Sequence, residues 1–532
     1  MKVRTGAIAA ATIVVLAVVA LQVADRIASR RIASALDHGI TLLPSQIGVK
    51  YAGVSYSFRT GVATITGLIL TSNADGVVGT ETIDRVDVSG ASWDVGEAFA
   101  RIQADPTTLT RDTVLPIADR VSLTGIHSQA PSFKLTFGNV TVTGIRLHPW
   151  ALFQPGIPSM AAIIHQITGP PPNLEGPNGS TVAMAQAIPL LRFGAAMVLA
   201  FEYDSAVETG LEEDVTVAAT ADEPAQQRHF SLARTNLPDG LHNGVLGPAS
   251  DEEFRESSGG NTVFSSAHLE CAGFDFRAPA ERIVAGAPIT RDLADGLKIG
   301  DIALSGIAAQ VPGFGLVTVT RIGLDGLGFG HGVLESAHAA IEQLHVTDAM
   351  LARTPAAAAA MQSLNLHALT ISAALGFHWD VAQQSVTLDR TELRIDELGD
   401  LGFDGRVEGL SPALDMQSLR DHAVVREARI RYRDASLAGR LIAASAAQAQ
   451  TDVASMRQNL IDAMQQRALS LGSGPAVANL VSAVTDFIQA PNSLSLTIKP
   501  PVPLPLSDLL MQHDQDPQTL LDRLGVTAVA NQ

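Results

Sequence analysis

Two groups of side chains have a spacing that could do chemistry. His331, His338 and His345 lie seven residues apart in HGVLESAHAAIEQLH, and Arg429, Arg431 and Arg433 alternate with apolar residues in REARIRYRD. On a helix the histidines would share one stripe and could bind metal or sense pH. A rise of ~1.5 Å per residue then separates neighbours by ~10 Å, too far for one zinc with ~2 Å bonds, so a solvent-facing set is favoured. On a strand the arginines occupy one face and Ile430 and Tyr432 the other, which gives a row of guanidinium forks able to hold lipid head groups or a partner. The competing reading is that Glu392 and Asp396, alternating with Leu393 and Ile395 in TELRID, lie on a neighbouring strand and neutralise the row.

Other chemistry is poorly supplied. Nucleophile-elbow, zincin and phosphate-loop motifs are missing, so no catalytic, cofactor or metal residues are assigned and a non-enzymatic protein is expected. The glycines of GLGFGHG, Gly326 to Gly332, are not followed by a helix and suit a bulged strand turn better than a phosphate cradle. A lone cysteine, Cys271, excludes an internal disulfide framework, and its strand-like surroundings suit a packed thiol. The net charge of −18, without a long basic run, argues against nucleic acid as a partner.

The elements that would carry these residues begin with an apolar run. Thr5 to Ala24 contains no charged residue, and at ~1.5 Å per residue it is long enough to cross a ~30 Å hydrocarbon core. Val18 and Ala20 resemble the small pair of a cleavage site, but the run is long for a signal peptide and continues at helical spacing through DRIASRRIASALD, so an uncut anchor is favoured. With 46% hydrophobic residues in a 532-residue chain, the remainder can bury a large core in more than one folding unit.

The period predicts a mainly β protein with α: an N-terminal transmembrane helix, curved antiparallel meanders in two regions, and a C-terminal helical cap. Residues 1–24 form the anchor or signal and 25–45 a continuing helix. Residues 46–155 form a first meander, 156–205 a helical and loop insertion, 206–435 a second meander and 436–532 a mostly helical subdomain. Strands follow one another without helices between them, which argues for antiparallel pairing. The stretch TVAMAQAIPLLRFGAAMVLAF is apolar enough to suggest a membrane span, but Pro189 and Arg192 inside it favour a buried or groove-covering helix. In the cap three helices are expected, with Thr451 capping the second, Gly472 ending it and Pro475 starting the third. Met456, Leu460, Ile461 and Met464 would share one face. The prolines at 500, 501, 503 and 505 suit an extended edge better than a recognition ligand.

A strand broken by glycine recurs in TITGLIL, SLTGIHS, TVTGIRL, ECAGFDF and ALSGIAA. Gly67, Gly125, Gly144, Gly273 and Gly306 are therefore expected at bulges or bends that curl the sheet. The membrane-crossing N-terminus together with long meanders of this Φ-x-Φ-[ST]-G-Φ kind resembles the AsmA/TamB-like proteins, inner-membrane-anchored periplasmic proteins of Gram-negative bacteria. That resemblance implies an elongated curved sheet with an apolar groove that carries phospholipid. The expectation is a single-pass bacterial inner-membrane protein, held through residues 5–24, with its bulk in the periplasm and phospholipid or envelope proteins as partners. A scaffold of the cell envelope without lipid cargo is the alternative. Both carry the same apolar alternation.

Overall fold

The computed structural model describes residues 29, 33–34, 36–37, 40 and 47–532, leaving aside 58–59, 75–76, 93–94, 131–132, 160–161, 164–165, 167–178, 218–225, 348–349, 351–353, 411–421, 473 and 508–516. The expected span at 5–24 lies outside the described residues, as do residues 169–178 of the proline- and glycine-rich stretch Gly169 to Ser180 that reads as a loop, whose last two residues, Gly179 and Ser180, begin a helix. Of the continuing helix, the described positions 29, 33–34, 36–37 and 40 are helical. Strand makes up 53% and helix 27%, which places the chain in the expected mainly β class. The chain divides into two units, 1–300 and 301–532.

The first unit is an antiparallel meander. Strands β1 (Ile47–Lys50) and β2 (Gly53–Ser57) both pair antiparallel with β3 (Val62–Ala74). The order continues through β4 (Val77–Ser89), β5 (Leu115–Ala130), β6 (Phe133–Leu147), β7 (Ser205–Val217), β8 (Gln226–Leu237), β9 (Ala249–Ser258) and β10 (Asn261–Cys271). Because β6 pairs directly with β7, the sheet runs on across the insertion at 156–205, and the expected break between β regions there falls inside one unit. The ladder is satisfied by whichever strand lies alongside, however long the excursion between them.

The inner face of β3–β6 is a sealed core. Ile83 and Val86 are fully buried, with Val88, Val121, Leu123 and Ile126 nearly so. Helix α1 (Val95–Ala104) contributes Val95 to this core, and α2 (Gly179–Ala200) and α3 (Arg277–Val284) contribute Ala196, Leu199, Ala280 and Val284. Apolar stretch α2 is thus a covering helix that contains Pro189, one 22-residue element where a short helix was expected. Among the described residues no helix is long and apolar enough to cross a membrane.

All five recurring glycines have positive φ: 61° at Gly67, 64° at Gly125, 62° at Gly144, 112° at Gly273 and 62° at Gly306. At Gly125 the ladder to β4 pairs Ile83 with Ile126 and Arg85 with Thr124, and the rung between them is broken. The Asp84 carboxylate folds over that break, into the space a Cβ on Gly125 would need; Asp204 does the same at Gly144. The breaks at Gly67 and Gly125 line up across the sheet with Gly210 (φ 68°) on β7 and Glu253 (φ 55°) on β9, whereas Gly144 lies at another level, opposite Asp119. A left-handed residue repeated on alternate strands bends them together.

The second unit continues the pattern in β11 (Ile302–Val311), β12 (Gly315–Gly330), β13 (Val333–Thr347), β14 (Ala368–Asp380), β15 (Ser385–Ile395), β16 (Gly399–Glu408) and β17 (Val424–Asp434), each antiparallel to the next. Strand β18 (Ser493–Ile498) follows β17 in the sheet, and the last strand, β20 (Val526–Ala530), pairs with β18. Residues Leu504–Pro505, strand β19, pair with Val424 and Val425, so the proline segment is a fixed extended edge. The GLGFGHG segment is a bulged hairpin, with register shifts between Asp325 and Phe329.

Helices α5 (Leu437–Gln448), α6 (Val453–Leu471) and α7 (Pro475–Gln489) form the expected cap; α4 (Pro355–Ser363) lies earlier in this unit. Gly472 ends α6 at φ 107° and Pro475 opens α7. The N-cap of α6 is Asp452, one residue beyond the expected Thr451. The Thr451 N–H closes the preceding helix onto Ala446 O at 3.0 Å, while the Asp452 carboxylate accepts from Ser455 N at 2.9 Å. Of the expected apolar stripe, Ile461 is buried but Leu460 is 38% exposed and turns outward.

Gly125→Ala should destabilise the protein by at least about 2 kcal/mol, from the left-handed backbone and the collision with Asp84. Urea denaturation measures this, and Asp84→Ala combined with Gly125→Ala should recover part of the loss.

Candidate functional site

In the second unit one face of the sheet is apolar along two adjacent rungs. The first runs Leu304, Ile322, Ile341, Ala373, Leu393, Leu401, Tyr432, Leu494, each directly opposite the next. Two residues along each strand lie Ile302, Leu324, Ala339 and Leu375, then Thr391 of β15 beside its bulge as the one hydroxyl of the row, and Phe403, Ile430 and Leu496. Alternation puts both rungs on the same side.

This face is closed at its margins and open in the middle. Ile322 and Ile341 are 39% exposed, Leu393 40%, Leu401 42% and Leu375 52%. Along β14 the same face continues through Phe377 to Trp379, which is 4% exposed in a small core with Leu410 and Ala423. At the β17–β18 side, α7 covers the sheet: the Phe487 ring meets Tyr432 edge-on at 5.8 Å. The uncovered side chains are aliphatic and offer an occupant no hydrogen bonds. From β11 to β16 the first rung spans five strand spacings of ~4.8 Å, about 24 Å.

The reverse side is polar and internally paired. Arg321 meets Glu342 at 3.5 Å and Arg394 meets Asp396 at 3.0 Å and Asp400 at 3.7 Å. Arg429, Arg431 and Arg433 all lie here, exposed, with Ile430 and Tyr432 on the apolar side. Their cross-strand neighbours are Asp404, Gly402 and Asp400 of β16 and Thr497, Ser495 and Ser493 of β18. Arg431 is tied to Asp404 at 2.8 Å. The neutralising carboxylates therefore come from β16; Glu392 and Asp396, expected in that role, belong to β15 and its following turn, one strand further away. The arginine row and the open apolar row are on opposite sides of one sheet, so a single acyl chain lying on the latter does not present its head group to the former.

The three histidines are carried by a hairpin turn and a strand. His331 occupies the turn at φ 52° beside Glu335, and His338 Nδ1 meets Asp325 at 2.9 Å. Among the described residues no group of three metal-ligating side chains comes together. Cys271 ends β10, half-buried, and its Sγ accepts the Gly273 N–H at 3.4 Å.

Sequence reading missed two carboxylates at the core margin of the first unit. Glu81 stands opposite Leu70 and Ser128, two residues from fully buried Ile83, and burial pushes its carboxyl up to about 7. Glu208 stands opposite Val140 and Thr235, and burial together with the Asp251 charge also pushes it up to about 7. Thr235 donates to Asp251 at 2.7 Å. The only available signal was an acidic residue in an otherwise apolar phase of its strand.

A sequence-family profile described as "Uncharacterized protein" matches residues 392–531, the end of β15 through β20 with the helical cap. No curated protein matches the chain.

An acid that titrates higher folded than unfolded costs stability above its folded value, and the cost disappears as pH falls from about 7 toward 4.5. Glu208→Gln should therefore stabilise the protein at pH 8, on the order of 2 kcal/mol, and give no gain at pH 4. Chemical denaturation at the two pH values checks the sign.

Proposed function

We propose that the protein is a non-enzymatic, membrane-anchored protein of the bacterial envelope, held by residues 5–24 with its bulk in the periplasm, that shelters lipid acyl chains on the open apolar face of the second unit. One observation carries this reading: Ile322, Ile341, Leu375, Leu393 and Leu401 stand uncovered together on a sheet whose margins are packed. Scattered exposed leucines need no explanation, but an aligned aliphatic row does. From Ile322 on β12 to Leu401 on β16 the uncovered row spans four strand spacings, about 19 Å, which exceeds the ~15 Å that a chain occupies in half of a bilayer's hydrocarbon core, so one acyl chain fits along it. The likeness of the glycine-broken meanders to AsmA/TamB-like proteins supports the same assignment.

A photo-crosslinking amino acid at Leu375 in the full chain, activated in cells and analysed by mass spectrometry, should yield a lipid adduct. Ile341→Asn with Leu393→Asn should abolish that adduct while changing stability little, since both side chains are already solvent-exposed. A protein adduct without lipid would replace the carrier reading with the envelope scaffold.

A further inference from the structure

The first unit holds a second candidate site, built from polar groups. On the outer face of β2–β5 a cavity of about 470 Å³ is lined chiefly by hydroxyls and two arginines. Its floor is the rung Thr64, Asp87, Ser122, whose members stand directly opposite one another. Arg85 and Arg120 flank that rung, Arg85 two residues before Asp87 on β4 and Arg120 two residues before Ser122 on β5. Ser89 stands opposite Arg120.

The hydrogen bonds leave this cavity short of acceptors. Asp87 Oδ1 accepts from Thr64 Oγ1 at 2.6 Å, and its Oδ2 from Arg85 Nε at 2.7 Å, so each carboxylate oxygen is already engaged. Arg85 spends only its Nε on that contact, and Arg120 makes no ion pair among the described residues. Two guanidinium groups therefore face one carboxylate, with most of their N–H donors turned to solvent. Such a donor excess matches an acceptor-rich anion, and the planar fork of arginine suits phosphate oxygens. The hydroxyls of Ser55, Ser57 and Ser89, which both donate and accept, suit alcohol groups next to that anion; Ser122 is already bonded to Thr141 at 3.0 Å and accepts from Asn139 at 3.4 Å. The volume lies within the range of small-molecule sites, about 300–1,000 Å³.

We propose that this cavity binds a phosphate ester of a small polyol, its phosphate between Arg85 and Arg120 and its hydroxyls over Ser89 and the Ser55 and Ser57 hydroxyls of β2. The residues all belong to the first unit, so the inference stands apart from the acyl-chain site. The same chemistry is offered by a soluble sugar or glycerol phosphate and by a glycerophospholipid head group.

Calorimetric titration of the full chain in mild detergent with glycerol 3-phosphate should show saturable binding that weakens with added salt. Arg120→Gln should weaken it at least about tenfold, the loss expected for a charge-assisted contact, and Arg120→Lys should recover part of the affinity. Far-UV circular dichroism of each variant should match the parent. Inorganic phosphate should bind more weakly than glycerol 3-phosphate, which is the contribution of the hydroxyls. Binding of phosphatidylglycerol vesicles that falls in Arg120→Gln identifies the lipid head group as the source; binding of the free ester with vesicle binding unchanged by the variant identifies a soluble ester. Absence of glycerol 3-phosphate binding at millimolar concentration, or equal affinity in a folded Arg120→Gln protein, overturns the proposal.

Discussion

Long antiparallel strands must pair along their whole length, yet they must also bend, and a residue with a left-handed backbone is where both demands are met. Strands β3–β6 run for 13 to 16 residues. A continuous ladder of that length keeps every backbone group bonded but resists curling. One broken rung at Gly67, Gly125 and Gly210, at the same level on alternate strands, gives up a few hydrogen bonds and shifts by one which residues of each strand face the core. Ile83 and Val86, on either side of that line, are both fully buried. Asp84 fills the space left by the missing Cβ, so the break is itself packed.

The same device has different results in the two units. In the first, helices α1, α2 and α3 fill the inner face and the apolar side chains form a closed core. In the second, Gly306 breaks β11 in the same manner and residues such as Ile307, Val319 and Trp379 are buried, but Ile322, Ile341, Leu375, Leu393 and Leu401 stay exposed. Burying aliphatic side chains is worth roughly 25 cal/mol per Å², so an aligned row left in water is a standing demand for an apolar occupant. The polar reverse side carries cross-strand pairs such as Arg431 with Asp404, so its charges are partly met within the sheet. Acyl-chain shelter is thus proposed for the side where the demand is unmet.

Much of the fold was legible because its signals are local. Period-two alternation identified the strands, and a glycine between a small and an apolar residue marked the left-handed positions at Gly67, Gly125, Gly144, Gly273 and Gly306, while the one at Glu253 carried no such signal. Gly472 and Pro475 marked helix boundaries through their own dihedral preferences. The cap of α6 was misplaced by one residue because Thr451 and Asp452 are both good caps, and the choice depended on which N–H the preceding helix had already used.

The candidate sites were less legible, because their meaning depends on neighbours distant in sequence. Alternation in REARIRYRD separates arginine from apolar residues, a property of the chain itself. That Asp404 and Asp400, and not Glu392 and Asp396, stand opposite required the order of strands in the sheet. Pattern alone identifies Ile341 and Ile83 equally as inward residues of a β-strand. Their difference, one in water and one sealed, was decided by which helices came to rest on each face, since hydrophobic periodicity encodes a side's preference for burial and only tertiary packing supplies the partner that satisfies it.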